Sequence, residues 1–397
     1  MKKSFHFLWV SQLLANLGDV FYIVGLISIL YKLSESPFYL ALLPLLSMVG
    51  RMISSSIAPI WLNRYPLKTL LLISQALKTL LLLILALFSL YTLSLLFIFI
   101  IIFMVAFLDG FAQPASSALI PRIVDKAKLL RANGILSMIN ESTQLGGWAL
   151  GGILVAVTNG EIVIWITLIL FIFSTIFIML IIDHTPFERI TNTSKKHELS
   201  EGFKVIWENR SFRTIHVMIV FESIANVVWV AAIMYIFVAD VLKVSEAWWG
   251  YINTSFFGGL VIGGFICTKF ERILEKKLRN FVLISSFAVS IIMLLFGLNH
   301  FAFLALILSF LFGVFEQIKG VLLRTWIQSK ATEKTLPKIY SAQGVLNALL
   351  FGLSTLFAGL LADSFSVQWL FIGAGVLLLF SAIYMFFHRK DFKIYTV

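Results

Sequence analysis

The chain of 397 residues has a single cysteine, little charge and no catalytic signature. Cys267 alone excludes a disulfide framework and any multi-thiolate metal site. Charged residues make up only 13% of the chain against 60% apolar residues, and the mean hydropathy is +0.97. A water-facing domain carries about a quarter charged residues, so this composition excludes a soluble globular protein. No G-x-x-x-x-G-K-[ST] phosphate loop is present, so the chain does not drive itself with ATP. G-x-S-x-G and H-E-x-x-H are also missing. His6, His184, His197, His216, His300 and His388 are scattered one per segment rather than spaced as ligands. No cofactor and no metal are expected, and the chain reads as a non-enzyme. A polytopic membrane enzyme or receptor would need a converging nucleophile, a metal or a folded loop domain, and the sequence offers none.

Long apolar runs are what the chain has instead. A helix needs about 20 apolar residues to cross a hydrocarbon core of about 30 Å, and continuous apolarity marks a membrane helix rather than an amphipathic one. Twelve runs are expected, over 7–31, 38–61, 67–90, 94–118, 131–157, 162–182, 213–240, 248–268, 280–298, 301–323, 338–361 and 367–387. The first is too long for the h-region of a cleavable signal, so it reads as a span. With the N-terminus inside, 26 of the 31 basic residues fall in cytoplasmic segments, from Lys2 and Lys3, through Arg122, Arg131, Arg189 and Arg279, to Lys393. Lys32 and Lys243 lie on the other side, and Arg51, Lys78 and Lys319 lie inside spans. This bias fixes orientation and places both termini in the cytoplasm of a multi-pass cell-membrane protein. It also accounts for the formal charge of +11 through anionic lipid rather than nucleic acid.

The longest polar stretch, Asp183 to Arg213, divides the spans six and six. The expected domains are an N-terminal six-helix bundle over 1–183, a cytoplasmic linker over 184–212 and a C-terminal bundle over 213–397. A shift of 208–210 residues superimposes Asn63-Arg64 on Glu271-Arg272, Gln12 and Asn16 on Glu222 and Asn226, and Asn133-Gly134 on Gln343-Gly344. The shared offset reads as a parallel repeat. The fold class is therefore all-α and integral to the membrane, with twelve helices in two pseudo-symmetric bundles.

Two six-span halves with a basic linker resemble the major facilitator superfamily. Its signature after span two looks like G-x-x-x-D-R-x-x-R-[RK]; here Ala58-Pro59-Ile60-Trp61-Leu62-Asn63-Arg64-Tyr65-Pro66-Leu67-Lys68 keeps Arg64 and Lys68 but has Asn63 at the aspartate. The stretch Asp109-Gly110-Phe111-Ala112-Gln113-Pro114-Ala115, continuing through Pro121-Arg122 to Asn133-Gly134, is similar to the drug-, macrolide- and siderophore-exporting branch. Leu145-Gly146-Gly147-Trp148-Ala149-Leu150-Gly151-Gly152 resembles the G-P-x-x-G-G exporter motif without its proline. The resemblance implies a gating loop at Asn63, Arg64 and Lys68, matched by Glu271 and Arg272, and a cavity lined by spans one, four, seven and ten.

Five acids lie inside spans: Asp19, Asp109, Glu141, Glu222 and Glu316. A charge at a helix centre costs roughly 2.5–3.5 kcal/mol or more and persists when paired or facing a cavity. Glu222 and Glu316, with Asp19 and Glu141, are the expected proton carriers; the alternative for each is a structural ion pair. Asp109 could pair with Arg51 or Lys78, and Lys319, three residues after Glu316, shares its helix face. Arg51 or Lys319 could otherwise meet an anionic group on a substrate. Further cavity candidates are Gln12, Asn16, Tyr22, Gln113, Asn140, Gln144, Asn226, Trp229, Asn253, Gln343 and Asn347. The i,i+4 steps among them make polar stripes, which line a wet pathway or glue helices together. The expectation is a monomeric secondary exporter of a small amphipathic molecule, such as a drug, a macrolide-like compound or a siderophore, working by alternating access with proton antiport. A lipid flippase and a nutrient importer are the competing transporters.

Overall fold

The computed structural model describes residues 3–33, 37–89, 94–185, 195–245, 247–364 and 366–391. Lys2, Arg189 and Lys393, used above for orientation, lie outside these described residues. Among them all regular structure is helical, as it must be where no water is available to satisfy backbone groups. The first half forms α1 (Lys3–Leu33), α2 (Pro37–Leu62), α3 (Leu67–Phe88), α4 (Leu95–Ile123), α5 (Leu129–Val157) and α6 (Gly160–Met179). An intervening α7 (Lys195–Glu208) leads into α8 (Arg210–Ala225), α9 (Ala231–Ile236), α10 (Ala247–Lys269), α11 (Glu271–Lys276), α12 (Leu278–Gly297), α13 (Ala302–Lys330), α14 (Leu336–Ser364) and α15 (Val367–Phe387). Polar caps start several of them. Ser94 accepts from the Phe97 amide at 3.2 Å, and Asn159 from the Ile162 amide at 2.8 Å, each satisfying an otherwise orphaned donor of a first turn.

Ten helices among the described residues are long and apolar enough to cross a membrane. The expected spans over 131–157 and 338–361 fall on α5 and α14, which are not in that set. The expected span over 213–240 is interrupted. α8 ends at Ala225, a 3₁₀ turn covers Asn226–Trp229, Val230 is extended, and a π turn follows α9 over Phe237–Val241. β-branched Val227, Val228 and Val230 lose rotamer freedom in a helix, and Trp229 packs instead into an aromatic cluster, 5.0 Å from both Phe256 and Phe312 and 5.3 Å from Phe296. That aromatic packing offsets the broken backbone ladder.

Two compact units emerge, and each is described by itself. The first comprises 1–129, 142–203 and 331–345. In it α1 packs on α6, α2 on α4, and α3 on both α4 and α6. The second comprises 130–141, 204–330 and 346–397. There α8 packs on α15, α10 on α13, and α12 on both α13 and α15. The same pairing scheme thus appears twice in chain order. Close approaches repeat as well. A Cβ on Gly50 of α2 would meet the Phe103 carbonyl of α4, and one on Gly259 of α10 would meet the Phe310 carbonyl of α13. Glycine at both places lets the backbones touch without interlocking side chains.

The start of α5 belongs to the second unit and the start of α14 to the first. Asn133 donates to Thr325 at 2.9 Å and Gln328 at 2.6 Å, while Ser341 donates to the Ser55 carbonyl at 2.5 Å. Gly134 lies against Thr268 of α10, and Gly344 against Ser55 of α2, so the two exchanged helix starts make equivalent approaches.

Candidate functional site

Each unit buries one lysine between two carboxylates. In the first, Lys78 of α3 places its ammonium 2.7 Å from Asp19 Oδ1 of α1 and 2.6 Å from Asp109 Oδ1 of α4. The ammonium also lies 4.9 Å from the Phe171 ring centroid, a cation–π contact from α6. Arg51 of α2 adds a looser contact, its Nε 4.0 Å from Asp109 Oδ2, with 55% of its side chain exposed. In the second, Lys319 of α13 stands 3.0 Å from Glu222 Oε1 of α8 and 2.7 Å from Glu316 Oε2 one turn before it. Ser381 of α15 reaches Glu222 at 3.4 Å, and Asn226 reaches Glu316 Oε1 at 3.4 Å.

The physical logic of both clusters is compensation. An isolated charge in hydrocarbon is expensive, and a buried ion pair offsets its desolvation only when geometry is close and hydrogen-bonded. Lys78 and Lys319 are almost wholly buried, and each makes two short charge-assisted bonds. The totals differ. Two acids and two bases leave the first cluster at zero formal charge, whereas two acids and one base leave the second at minus one.

Beside the first cluster a small pocket opens between Asp19, Tyr22, Ser47, Arg51 and Asp109, with an apolar wall that includes Ile102 and Val105. The Tyr22 hydroxyl is buried there and has no hydrogen-bond partner among the described residues. Beyond the first cluster and this pocket, the expected site residues of the first half are dispersed. Gln12 and Asn16 are half-buried on α1, and Gln113 is exposed on α4. Gln144 accepts from the Trp148 indole at 3.4 Å. Asn63 is buried, Arg64 is half-buried, and Lys68 caps the Met179 carbonyl at 2.8 Å.

In the second unit Asn140 is exposed and donates to Glu141 at 2.9 Å, and Asn253 donates to the Trp249 carbonyl at 2.9 Å. Trp229 belongs to the aromatic cluster, and its buried indole N–H has no hydrogen-bond partner among the described residues. Glu271 opens α11 with one oxygen buried and unpaired, and Arg272 is exposed. Asn347 is exposed on α14, while Gln343, in the first unit, is half-buried with an unpaired oxygen. Outside the spans, Glu275 of α11 accepts a bond from the Leu130 backbone, and burial followed by the neighbouring Glu271 charge holds its carboxyl above the ordinary range.

Sequence reasoning named six of the seven charged members as candidates and treated Lys78 only as a structural partner for Asp109. Its bond to Asp19 was not foreseen. A signal existed: the acids Asp109 and Glu316 are 207 residues apart, within one residue of the repeat offset, so a lysine serving both acids of one half suggests one for the other. Two further ion pairs also escaped it: Arg122 with Asp183 at 3.7 Å, and the buried Lys338 with Glu201 at 2.6 Å.

These features define a multi-pass membrane protein with paired intramembrane ion clusters. The profile of the Major Facilitator Superfamily matches residues 8–355, and the chain belongs to that superfamily: it is a membrane transporter rather than an enzyme. It is 32% identical over 391 residues to YfmI of Bacillus subtilis (strain 168), described as an uncharacterized MFS-type transporter, covering 97% of this chain and 96% of that one. YjbB of the same organism, described in the same words, is 30% identical over 276 residues, covering 70% and 68%. Among solved structures, a bacterial homologue of the iron transporter ferroportin in an outward-facing state has a TM-score of 0.79 at 14% identity, covering 98% of this chain and 100% of that one. The Escherichia coli fucose:proton symporter FucP scores 0.75 at 13% identity, covering 97% and 98%. These two likenesses concern the fold alone.

Proposed function

We propose that the protein is a secondary active exporter that moves a small amphipathic molecule out of the cytoplasm in exchange for protons, by alternating access of two homologous six-helix halves over 1–183 and 213–397. The single observation that carries the coupling is the uncompensated acid of the second cluster. Glu222 and Glu316 share Lys319 at 3.0 and 2.7 Å, so the group has a formal charge of minus one and one added proton makes it neutral. A neutral cluster crosses a reorganisation of its helices at lower electrostatic cost than a charged one. Binding and release of that proton then becomes a condition of the conformational cycle. A fucose:proton symporter shares the fold, so proton coupling is compatible with it. The outward direction rests on the exporter-like stretch from Asp109 to Gly152.

Everted membrane vesicles from cells with and without the chain test this reading. After lumen acidification they are offered a panel of fluorescent lipophilic compounds. The expected result is accumulation of at least one compound, abolished by a protonophore. Glu222→Gln and Glu316→Gln keep shape and hydrogen bonding but cannot titrate, and each is expected to lose gradient-driven accumulation while retaining downhill flux. Wild-type accumulation by both variants, or uphill uptake by right-side-out vesicles only, refutes the proposal.

A further inference from the structure

We infer that the pocket beside the first cluster is a subsite for a primary or secondary ammonium group, and that Arg51 fills it as a tethered stand-in that the substrate displaces. This rests on the reading of the chain as a carrier of small amphipathic molecules and adds the charge class of the cargo.

Three observations converge. First, the two cations of the cluster are held very differently. Lys78 is 2% exposed and engages Oδ1 of both acids at 2.6–2.7 Å, whereas Arg51 is 55% exposed and only reaches 4.0 Å from Asp109 Oδ2. Loose, exposed pairs contribute little, because water screens both charges. Arg51 is therefore exchangeable and Lys78 is not. Second, Tyr22 is 4% exposed and lines the same pocket, and its hydroxyl has no hydrogen-bond partner among the described residues. A buried unpaired hydroxyl keeps its full desolvation penalty, and an N–H or acceptor on a ligand removes that cost. Third, Ile102 and Val105 form an apolar wall next to the carboxylates. A small cationic head with an apolar body fits that combination of surfaces.

Charge separates the alternatives. An anionic head would enter a pocket walled by Asp19 and Asp109, whose one firmly held cation is already committed to both. A neutral head would leave the Arg51–Asp109 contact as it is and gain nothing from the acids. An ammonium group replaces Arg51 at Asp109 with a shorter N–H···O⁻ bond and leaves the formal charge of the cluster unchanged once the guanidinium swings to water. The space beside the carboxylates is of the size of a water molecule, so it takes the ammonium head alone and the apolar body of the substrate lies outside this subsite.

The test uses the full chain purified in detergent and three fluorescent probes with the same dansyl group: dansylcadaverine, a primary ammonium; its N-acetyl derivative, neutral; and dansyl-6-aminohexanoate, an anion. The expected order is ammonium binding at least tenfold tighter than either analogue. Arg51→Gln is expected to tighten ammonium binding about three- to tenfold, because the internal competitor is gone. Tyr22→Phe, which keeps the packing, is expected to weaken it about fivefold, and Asp109→Asn more. Equal affinity for the ammonium and acetylated probes overturns the subsite. So does a preference for the anion that Arg51→Gln abolishes, which makes Arg51 an anion clamp. Unchanged or weaker ammonium binding by Arg51→Gln overturns the displacement step. Binding in detergent needs no gradient, so the two readings separate. Gradient-driven transport without ammonium selectivity leaves the exporter standing and removes the subsite, and ammonium binding without gradient-driven transport does the reverse.

Discussion

Removing Lys319 is the most demanding test of the second cluster. The lysine is 1% exposed and serves two carboxylates at once, so Lys319→Met leaves both acids buried without a counter-charge. Deleting one partner of a buried pair costs about 3–5 kcal/mol. For a folding unit of roughly 200 residues each kcal/mol moves the melting temperature by about 2–4 °C, which gives a fall of roughly 6–20 °C at pH 8. At pH 5 the loss is expected to shrink, because one proton on either acid removes one of the two bare charges. Glu222→Gln added to Lys319→Met removes the same charge permanently, so the double variant should recover about half of the loss at pH 8. The protein carries its own reporter. Cys267, its one cysteine, is fully buried in α10, so a fluorogenic maleimide reports its exposure on heating. A Lys319→Met midpoint within 2 °C of wild type at pH 8, given the expected fall, refutes the reasoning. A double variant less stable than the single one does so too.

Gly259→Val places a branched side chain against the Phe310 carbonyl of α13 and is expected to cost about 1–3 kcal/mol or more, read as a lower midpoint in the same assay, while Gly258→Val at the adjoining open position should move it little. Glu275→Gln removes an acid whose carboxyl is held above its ordinary range by burial and by Glu271. A raised folded-state value means that stability is lost as pH rises past the ordinary carboxylate value, so the variant is expected to melt slightly higher than wild type at pH 8 and level with it at pH 4. A gain confined to low pH contradicts that sign.

The spans were legible because apolar length is a one-dimensional property, and a sequence displays it directly. Asp19, Asp109, Glu222 and Glu316 were legible as acids inside spans for the same reason, since an acid in an apolar run stands out. Their partners were harder to see. Lys78 meets Asp19 across 59 residues and Lys319 meets Glu222 across 97, and which helices touch is settled by packing. The break at Asn226–Trp229 escaped because hydropathy is blind to the backbone ladder: Val227, Val228 and Trp229 read as span whether or not they are helical. Among the amides, Asn226 joins a cluster, whereas Gln113, Asn140 and Asn347 are exposed on their helices.

The two clusters differ by one cation, and that difference is experimentally transferable. Asn226 stands 3.4 Å from Glu316 Oε1, next to the same acid that Lys319 holds on its other oxygen at 2.7 Å, much as Arg51 stands next to Asp109. Asn226→Lys would therefore supply the second cluster with the extra base that Arg51 gives the first, bringing its formal charge to zero. With no bare acid left, a proton is no longer needed to neutralise the cluster, and its coupling to the gradient should vanish. Downhill flux of the same compound should persist, since the first cluster and its pocket are untouched. The Cys267 melting assay checks that the variant folds, and vesicles with and without a pH gradient measure the coupling. If Asn226→Lys folds and still concentrates substrate against its gradient as wild type does, the charge difference between the clusters is not what couples the protein to protons.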